Sequence, residues 1–161
     1  MATDYPPYPP LESDLRLATI DDVPRLAAVA VAGFFGESTF DAARPLHKIH
    51  AGDTIAAFRD TMHGNIRDTN SVTVVIEADA DLDETKKTDA TIRRRDGDYV
   101  LKEGKKIVVG FATWDFRPGS ARAGQFNDES LVPDVEIDGN SGKDINHQAT
   151  QEIVRICKEG T

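Results

Sequence analysis

Cysteine is almost absent from this chain, whose 161 residues include one, Cys157. A single thiol excludes a framework of internal disulfides and favours a reducing compartment. Basic residues are also scarce, because 19 lysines and arginines face 28 aspartates and glutamates, so the net charge is −9. That charge opposes binding to the phosphate backbone of nucleic acids and to anionic membrane surfaces.

Long apolar segments are missing as well. No apolar run approaches the roughly 18 residues of a membrane helix, and the N-terminus lacks the basic region followed by an apolar core that marks a signal peptide. The sequence therefore predicts a cytoplasmic or nuclear protein with no nucleic-acid and no membrane partner. With 39% hydrophobic residues, the chain suits one ordinary globular domain.

The sequence does contain one strongly apolar segment, residues 106–114 (KIVVGFATW). Side chains alternate along a strand, and here both alternating sets are apolar or small, which is typical of a strand inside a sheet. Such a strand needs a neighbour along each edge, since unpaired backbone groups on a long apolar strand promote aggregation. Residues 71–78 supply one neighbour, but no second strand of similar quality follows.

The rest of the chain divides by composition. Residues 1–13 are rich in proline and predict a disordered lead, whereas 14–116 carry the predicted strands and helices. Within them, residues 79–105 are charged and poor in apolar side chains, which predicts a mobile insertion. Residues 117–144 are interpreted as a polar loop, and residues 145–161 as a C-terminal helix that ends at a glycine.

A first helix is predicted after a short strand. Pro24 has no backbone N–H and fits only in a first helical turn, so the helix starts at Asp21 or Asp22. Apolar and small residues then recur at helical spacing and predict its buried stripe. This stripe consists of Leu26, Val29, Ala30, Gly33 and Phe34.

A second helix is predicted after a linker, residues 36–50, in which Pro45 interrupts any continuous helix. Asp53 is the predicted cap of this helix, and one face is apolar at helical spacing. That face consists of Ile55, Phe58, Met62 and Ile66. The strand that follows is apolar on one face through Val72, Val74 and Ile76, and carries Thr73, Val75 and Glu77 on the other.

This order of elements resembles the GNAT superfamily of N-acetyltransferases over residues 15–116. Residues 15–24 (LRLATIDDVP) look like the opening strand and first helix of that family. Residues 108–114 (VVGFATW) look like its third strand. The long polar insertions resemble those of fungal members.

The resemblance implies an α/β fold of the α+β type. It is an incomplete acyl-CoA N-acyltransferase fold, a GNAT-like N-terminal half with a three-stranded, mainly antiparallel sheet and two helices, to which a C-terminal helix is added. The implied activity is transfer of an acetyl group from acetyl-CoA to a small-molecule or protein amine. Family members hold the cofactor on an Arg/Gln-x-x-Gly-x-Gly/Ala loop at a helix start. Residues 117–161 contain no such loop after a strand, so no cofactor-binding and no catalytic residue is predicted, and the chain alone is expected to be inactive.

The acceptor side is implied to lie at the linker after the first helix and at the end of the third strand. Phe35, Phe40, Trp114 and Asp115 are the candidate substrate-binding residues, while Phe34 is interpreted as core. Core packing is the simpler interpretation of the other aromatic residues too. For Asp115, a surface carboxylate at a strand end is the favoured interpretation over attraction of a substrate ammonium group.

Three further groups are interpreted as structural. His47, His50 and His63 lack the additional nearby ligands of a zinc site, so no metal is predicted. The arginine run at residues 93–95 has acidic neighbours and is interpreted as a solvated charge run. Cys157 lies on the apolar side of the last predicted helix and is interpreted as a small buried hydrophobic residue.

An alternative function follows from the missing neighbour strand. The chain would then be a non-catalytic half-domain or pseudoenzyme that pairs its open strand edge with a partner chain, as in a homo-oligomer. Backbone groups left unpaired and buried at such an edge cost about 1–3 kcal/mol each. Water, a partner or the last helix, residues 146–158, would have to satisfy them.

Overall fold

The computed structural model describes residues 14–90, 92, 98–126 and 142–159, the last three by their backbone alone. The proline-rich lead, the arginine run at 93–95 and the side chain of Cys157 lie outside this description. The elements in chain order are β1 (Leu15–Leu17), α1 (Val23–Phe34), α2 (Ser38–Ala43), α3 (Ala51–Arg67), β2 (Ser71–Asp79), β3 (Lys106–Asp115) and α4 (His147–Glu159). The three strands form one antiparallel sheet in the order β1-β2-β3. This confirms the predicted fold class.

Helix α1 begins where Pro24 predicts, within one residue. A short 3₁₀ turn at Ile20–Asp22 precedes it, Asp22 is its N-cap, and Pro24 lies in the first turn. Leu26 and Ala30 are buried in the core that α1 shares with α3 and the sheet. Phe34, predicted as core, is instead 46% exposed, and its ring stacks on the rings of Phe40 and Phe58 at centroid distances of 6.3 and 5.9 Å.

Asp22 connects the start of helix α1 to strand β1. Its carboxylate accepts hydrogen bonds from the Arg16 guanidinium at 2.6 and 2.8 Å and from the Thr19 backbone N–H at 2.7 Å. Burial raises the pKa of Asp22, but the bonds from Arg16 and Thr19 outweigh burial and hold the pKa below its usual value. The ionised carboxylate therefore stabilises the fold.

We expect the Asp22→Asn variant to be less sensitive to acid than the wild type. Because the pKa of Asp22 is lowered on folding, its contribution is present above the unfolded-state pKa of about 3.9 and is lost as the pH falls through the lower folded-state value. Urea unfolding across this pH range measures the effect. Equal losses of unfolding free energy in the two proteins would contradict it.

Helix α2 was not predicted. The Glu37 carboxylate accepts a hydrogen bond from the Phe40 backbone N–H at 2.8 Å and so caps this helix, which ends at Ala43. Pro45 explains the end, since the residue before a proline disfavours helical geometry. Bonds from the backbone N–H groups of Phe40 and Thr39 also lower the pKa of Glu37.

Helix α3 has the predicted buried face, with Ile55, Met62 and Ile66 all in the core. Its predicted cap is wrong, because the helix begins at Ala51 and His50 is the N-cap residue. Asp53 lies in the first turn, where its carboxylate accepts the backbone N–H of Lys143 at 3.0 Å. The residue thus binds a segment 90 positions later in the chain.

The sheet has one face covered by α1 and α3, here called the helix face. Val75, fully buried, contacts Leu26 and Met62 in this core. Polar side chains on the same face bond across the strands, Thr73 to Thr113 at 2.9 Å and Ser71 to Asp115 at 2.6 Å. These bonds satisfy the hydroxyl groups and let a partly polar strand face be buried.

The opposite face, here called the open face, is the more apolar one. Residues directly opposite in antiparallel strands share a face, so the pairs Leu17–Val74 and Ala112–Val74 lie there together. No helix among the described ranges packs on it. The apolar set Val72, Val74 and Ile76 is therefore not the set that the helices bury.

Within the described ranges, strand β3 lies at the edge of the sheet, although its composition predicts a central strand. Its only strand neighbour among the described residues is β2, which occupies the centre. A bulge between Ile76 and Glu77 on β2 leaves Val109 as an extra residue on β3. Val108 and Phe111, three residues apart, both reach the core for that reason.

Gly110 beside the bulge has a steric role. A Cβ atom at this position would lie 3.0 Å from Cγ2 of Ile76 on β2. That separation is shorter than an ordinary van der Waals contact. Glycine thus allows the two strands to keep their pairing next to the irregularity.

The C-terminal segment docks on α2 and α3. Asp144 is fully buried and accepts bonds from Arg44 at 2.5 Å and from the Thr54 hydroxyl at 2.7 Å. The backbone N–H of Asn146 donates to the Ala43 carbonyl at 2.7 Å, and α4 contacts α2. Helix α4 therefore lies on the helical layer and does not cover the edge of β3.

Candidate functional site

Phe35 and Phe40, two of the predicted acceptor residues, meet at His47. Their ring centroids lie 5.5 and 5.0 Å from the imidazole, and its Nε2 lies 3.2 Å from the Asp41 carboxylate. Phe40 is 8% exposed and also packs near Phe58. Phe40 is therefore mainly a packing residue, whereas Phe35 lies at the half-buried margin of the aromatic group.

Trp114 and Asp115, the other two predicted residues, are neighbours on β3 but project from opposite faces. Trp114 is 56% exposed on the open face. Asp115 accepts the hydroxyl hydrogen of Ser71 at 2.6 Å. In the described part of the chain, no hydrogen bond, ion pair or ring contact joins these two residues to Phe35 or Phe40, so the four do not form one contact cluster.

Arg25 is a functional candidate that the sequence reasoning missed. Its Nε donates to the Val108 carbonyl at 2.6 Å, its two terminal nitrogens donate to Glu84 at 2.6 and 2.8 Å, and its guanidinium lies 4.8 Å from the Tyr99 ring centroid. Burial lowers the pKa of Arg25, but the bonds with Glu84 and Tyr99 outweigh burial and raise it. The only signal in the sequence was an arginine directly before the apolar residue Leu26.

The predicted mobile insertion supplies two of those partners, Glu84 and Tyr99. It also supplies Asp98, which forms an ion pair with the buried Arg59 of α3. The described residues of this insertion therefore have defined contacts with α1, α3 and β3. The hairpin suggested around residues 91–101 lies partly outside the description, and residues 98–101 form no strand.

A cavity of about 490 Å³ lies between α1, the insertion and β3. Its floor is small and apolar, with Ala28 and Val29 from α1 and Val109 from β3. Asp81 and Glu84 also line it, and their carboxylates are ion-paired with Lys87 and Arg25. The cavity thus adjoins β3 at the bulge, and both of these carboxylates already have basic partners.

Among the described residues, the outer edge of β3 has no strand neighbour. The Thr73 carbonyl accepts a bond from Ala18 on the β1 side, so alternation directs the backbone of Val74 towards β3. Val74 is opposite Ala112, so the backbone groups of Ala112 are directed towards β2. Because this direction alternates along β3, the backbone groups of Phe111, Thr113 and Asp115 point away from β2. None of them forms a backbone bond beyond the sheet in the described ranges.

The residues that the structure describes do not fit an acetyl-CoA pyrophosphate. Gly119 and Gly124 lie in turns after β3 with φ of +78° and +77°, but no helix starts there. Backbone N–H groups at a helix start are what hold a pyrophosphate in such sites.

Metal and membrane binding were also considered. Across the described ranges, no three His, Cys, Asp or Glu side chains come together as a metal-ion site. Within the same ranges, no helix has the length and apolar character needed to cross a bilayer.

A comparison with curated proteins finds a protein that is similar in sequence to this chain. A protein named acetyltransferase from Stachybotrys chartarum is 32% identical to this chain over 123 residues. The match covers 76% of this chain and 44% of that protein, so the chain spans less than half of the relative's length. No family model matches the chain, and no solved structure matches it either. The motifs, the three-stranded sheet and this relative agree in making the chain similar to acetyltransferases.

Proposed function

We propose that this chain forms the acceptor-side portion of an N-acetyltransferase that moves an acetyl group from acetyl-CoA to an amine. The observation that carries the proposal is the similarity to the Stachybotrys acetyltransferase over three quarters of the chain. The β1-β2-β3 sheet with α1 to α3 inserted after β1 supports it. The acceptor is a small-molecule or protein amine, and the compartment is the cytoplasm or nucleus.

Within this proposal, the exposed end of β3 is the stronger acceptor candidate. Trp114 is accessible on the open face, and on the helix face the Asp115 carboxylate has one oxygen bonded to Ser71. A carboxylate of this kind attracts a substrate ammonium group. Phe35 is the second acceptor candidate. It lies at the half-buried margin of the group that it forms with Phe40 and His47, and Phe40 is the buried member of that group.

In this proposal the cofactor is held by residues other than these 161, since the chain matches 44% of its relative. We therefore expect calorimetric titration of the chain with acetyl-CoA to show no saturable heat up to millimolar concentration. We also expect no acetylation of a panel of primary amines. Micromolar binding would contradict this expectation and assign the cofactor site to these 161 residues.

A chimera tests the acetyltransferase proposal itself. The matching 123 residues of this chain replace their counterparts in the Stachybotrys acetyltransferase, and acetyl transfer to the same amine panel is measured. Retained transfer supports the proposal. A chimera that unfolds cooperatively, as the parent does, but transfers no acetyl group would overturn it.

The second candidate function is strand addition, in which β3 pairs with a strand from a partner. The outward backbone groups of Phe111, Thr113 and Asp115 favour it. Main-chain bonds at an exposed sheet edge are a common way to bind an extended segment. No catalytic group is needed for this function.

A further inference from the structure

The linker between α1 and α3 is held in place by residues from the C-terminal part of the chain. Asp144 is fully buried and accepts bonds from Arg44 in that linker, at 2.5 Å, and from the Thr54 hydroxyl of α3, at 2.7 Å. Both bonds end at the same carboxylate atom, Oδ2, so the linker and α3 are joined at one point. The backbone bond from Asn146 to the Ala43 carbonyl, at 2.7 Å, adds a second contact beside it.

Arg44 also contacts the aromatic side chains of this region. Its guanidinium lies 5.7 Å from the ring centroid of Phe58, and the centroids of Phe58 and Phe40 are 6.1 Å apart. Phe40 in turn packs 5.0 Å from the imidazole of His47. A continuous series of contacts therefore leads from Asp144 to the aromatic group of the linker.

Helix α4 is attached to the domain mainly through the residues at its beginning. Three of its residues between 147 and 156 are half-buried, and the others are exposed. The half-buried residues are Ala149, Thr150 and Ile153. The ion pair of Asp144 with Arg44 adds only part of its attraction to the docking, because the buried carboxylate has lost its contact with water. A segment with so little packing can undock while the rest of a domain stays folded.

We propose that residues 142–156 form a latch, in which Asp144 is the residue that positions the linker. While the latch is docked, Arg44 stays beside Phe58 and α2 keeps its place. When the latch undocks, the linker loosens and the aromatic group opens. Under the proposed function, on which this last step rests, the latch controls access to the acceptor candidate Phe35.

Amide hydrogen exchange of the wild-type chain at increasing, sub-denaturing urea tests whether the latch is a separate unit. We expect the amides of Asn146 and Arg44, which bond to Ala43 and Phe40, to share one opening with a small urea dependence. Amides in the middle of α3 should exchange only through global unfolding, with a larger urea dependence. If Asn146 and Arg44 open only together with α3, or open independently of each other, the proposal is overturned.

Asp144→Asn tests the positioning residue, since it removes the charge and keeps the shape of the side chain. The amides of Asn146 and Arg44 should exchange about tenfold faster or more, whereas the amide of Met62 in α3 should be unaffected. Asp60→Asn is the matched control, because it makes the same change at an exposed position, and it should alter none of these rates. No effect on Asn146, or an equal effect on Asn146 and Met62, would overturn the proposal.

Thr54→Val keeps this test decisive if Asp144→Asn fails to fold. It removes one of the two bonds to Asp144 and nearly preserves the volume of the side chain. The same amides, those of Asn146 and Arg44, should exchange faster, but by a smaller factor than in Asp144→Asn. Unchanged exchange of both amides in Thr54→Val would contradict the latch.

The NMR signals of the His47 imidazole, recorded at one fixed pH, show whether the latch acts on the aromatic group. Ring currents of Phe35 and Phe40, whose centroids lie 5.5 and 5.0 Å away, displace these signals from their values in an unfolded chain. In Asp144→Asn the signals should move towards the unfolded values, and in Asp60→Asn they should stay in place. Identical signals in Asp144→Asn and the wild type would overturn the positioning role.

These measurements separate failure of the latch from failure of the proposed function. None of them uses acetyl transfer, so a negative result leaves the acetyltransferase proposal standing. An inactive chimera, conversely, would remove the acceptor role of the linker and leave the exchange and NMR expectations unchanged.

Discussion

Val75→Asp should abolish the cooperative folded state, whereas Val74→Asp should leave it intact. Val75 is fully buried between the sheet and the α1–α3 layer, and an aspartate there would have no cationic partner. Burying an unpaired charge costs at least about 4 kcal/mol, against the roughly 5–15 kcal/mol that hold a typical domain folded. Urea unfolding followed by circular dichroism measures the difference.

Val74→Asp is the matched control because it introduces the same side chain one residue away. Val74 projects from the open face, where water can solvate a carboxylate. Its expected cost is about 1 kcal/mol, from the lower strand propensity of aspartate and the lost contact with Ala112. If both variants unfold to the same extent, the open face is covered in solution and the assignment of faces is wrong.

Arg25→Ala should lower the free energy of unfolding by about 2–3 kcal/mol. The change removes the bond to the Val108 carbonyl and both bonds to Glu84. Glu84 keeps some access to water, which limits the cost. Amides of residues 98–105 should also exchange faster, because Tyr99 loses the guanidinium that it packs against.

Two variants serve as comparisons for Arg25→Ala. Arg25→Lys keeps the charge, but one ammonium group cannot bond at once to Val108 and to both oxygens of Glu84, so it should recover only part of the loss. Lys86→Ala removes an exposed ion pair with Asp83 and should leave the unfolding midpoint unchanged. Equal midpoints for Arg25→Ala and Lys86→Ala would contradict the role assigned to Arg25.

Elements governed by local chemistry were predicted well. Pro24 located the start of α1 within one residue, and the spacing of Ile55, Met62 and Ile66 identified the buried face of α3. Both signals operate within one or two helical turns. Helix α2 was missed because its cap, Glu37, is not a usual capping residue and the helix has only 6 residues.

The candidate site was predicted only in part. The sequence singled out Trp114 and Asp115, which lie at an exposed strand end, but it grouped them with Phe35 and Phe40, which belong to another cluster. Arg25 was missed because its partners are far along the chain. No local pattern relates an arginine on a helix to a glutamate 59 residues later.

By itself, the sequence determined the elements α1, α3, β2 and β3 and the relationship to the acetyltransferases, because helical spacing, strand alternation and short motifs depend on near neighbours. Only the tertiary structure decided which face of the sheet the helices cover and that, among the described residues, β3 has β2 as its single strand neighbour. Both faces of β3 are apolar or small, so composition could not choose between them. The cross-strand bonds of Thr73 and Ser71 satisfy polar groups on the covered face, and the bulge at Val109 lets Val108 and Phe111 both reach the core. These contacts join residues that are distant in sequence.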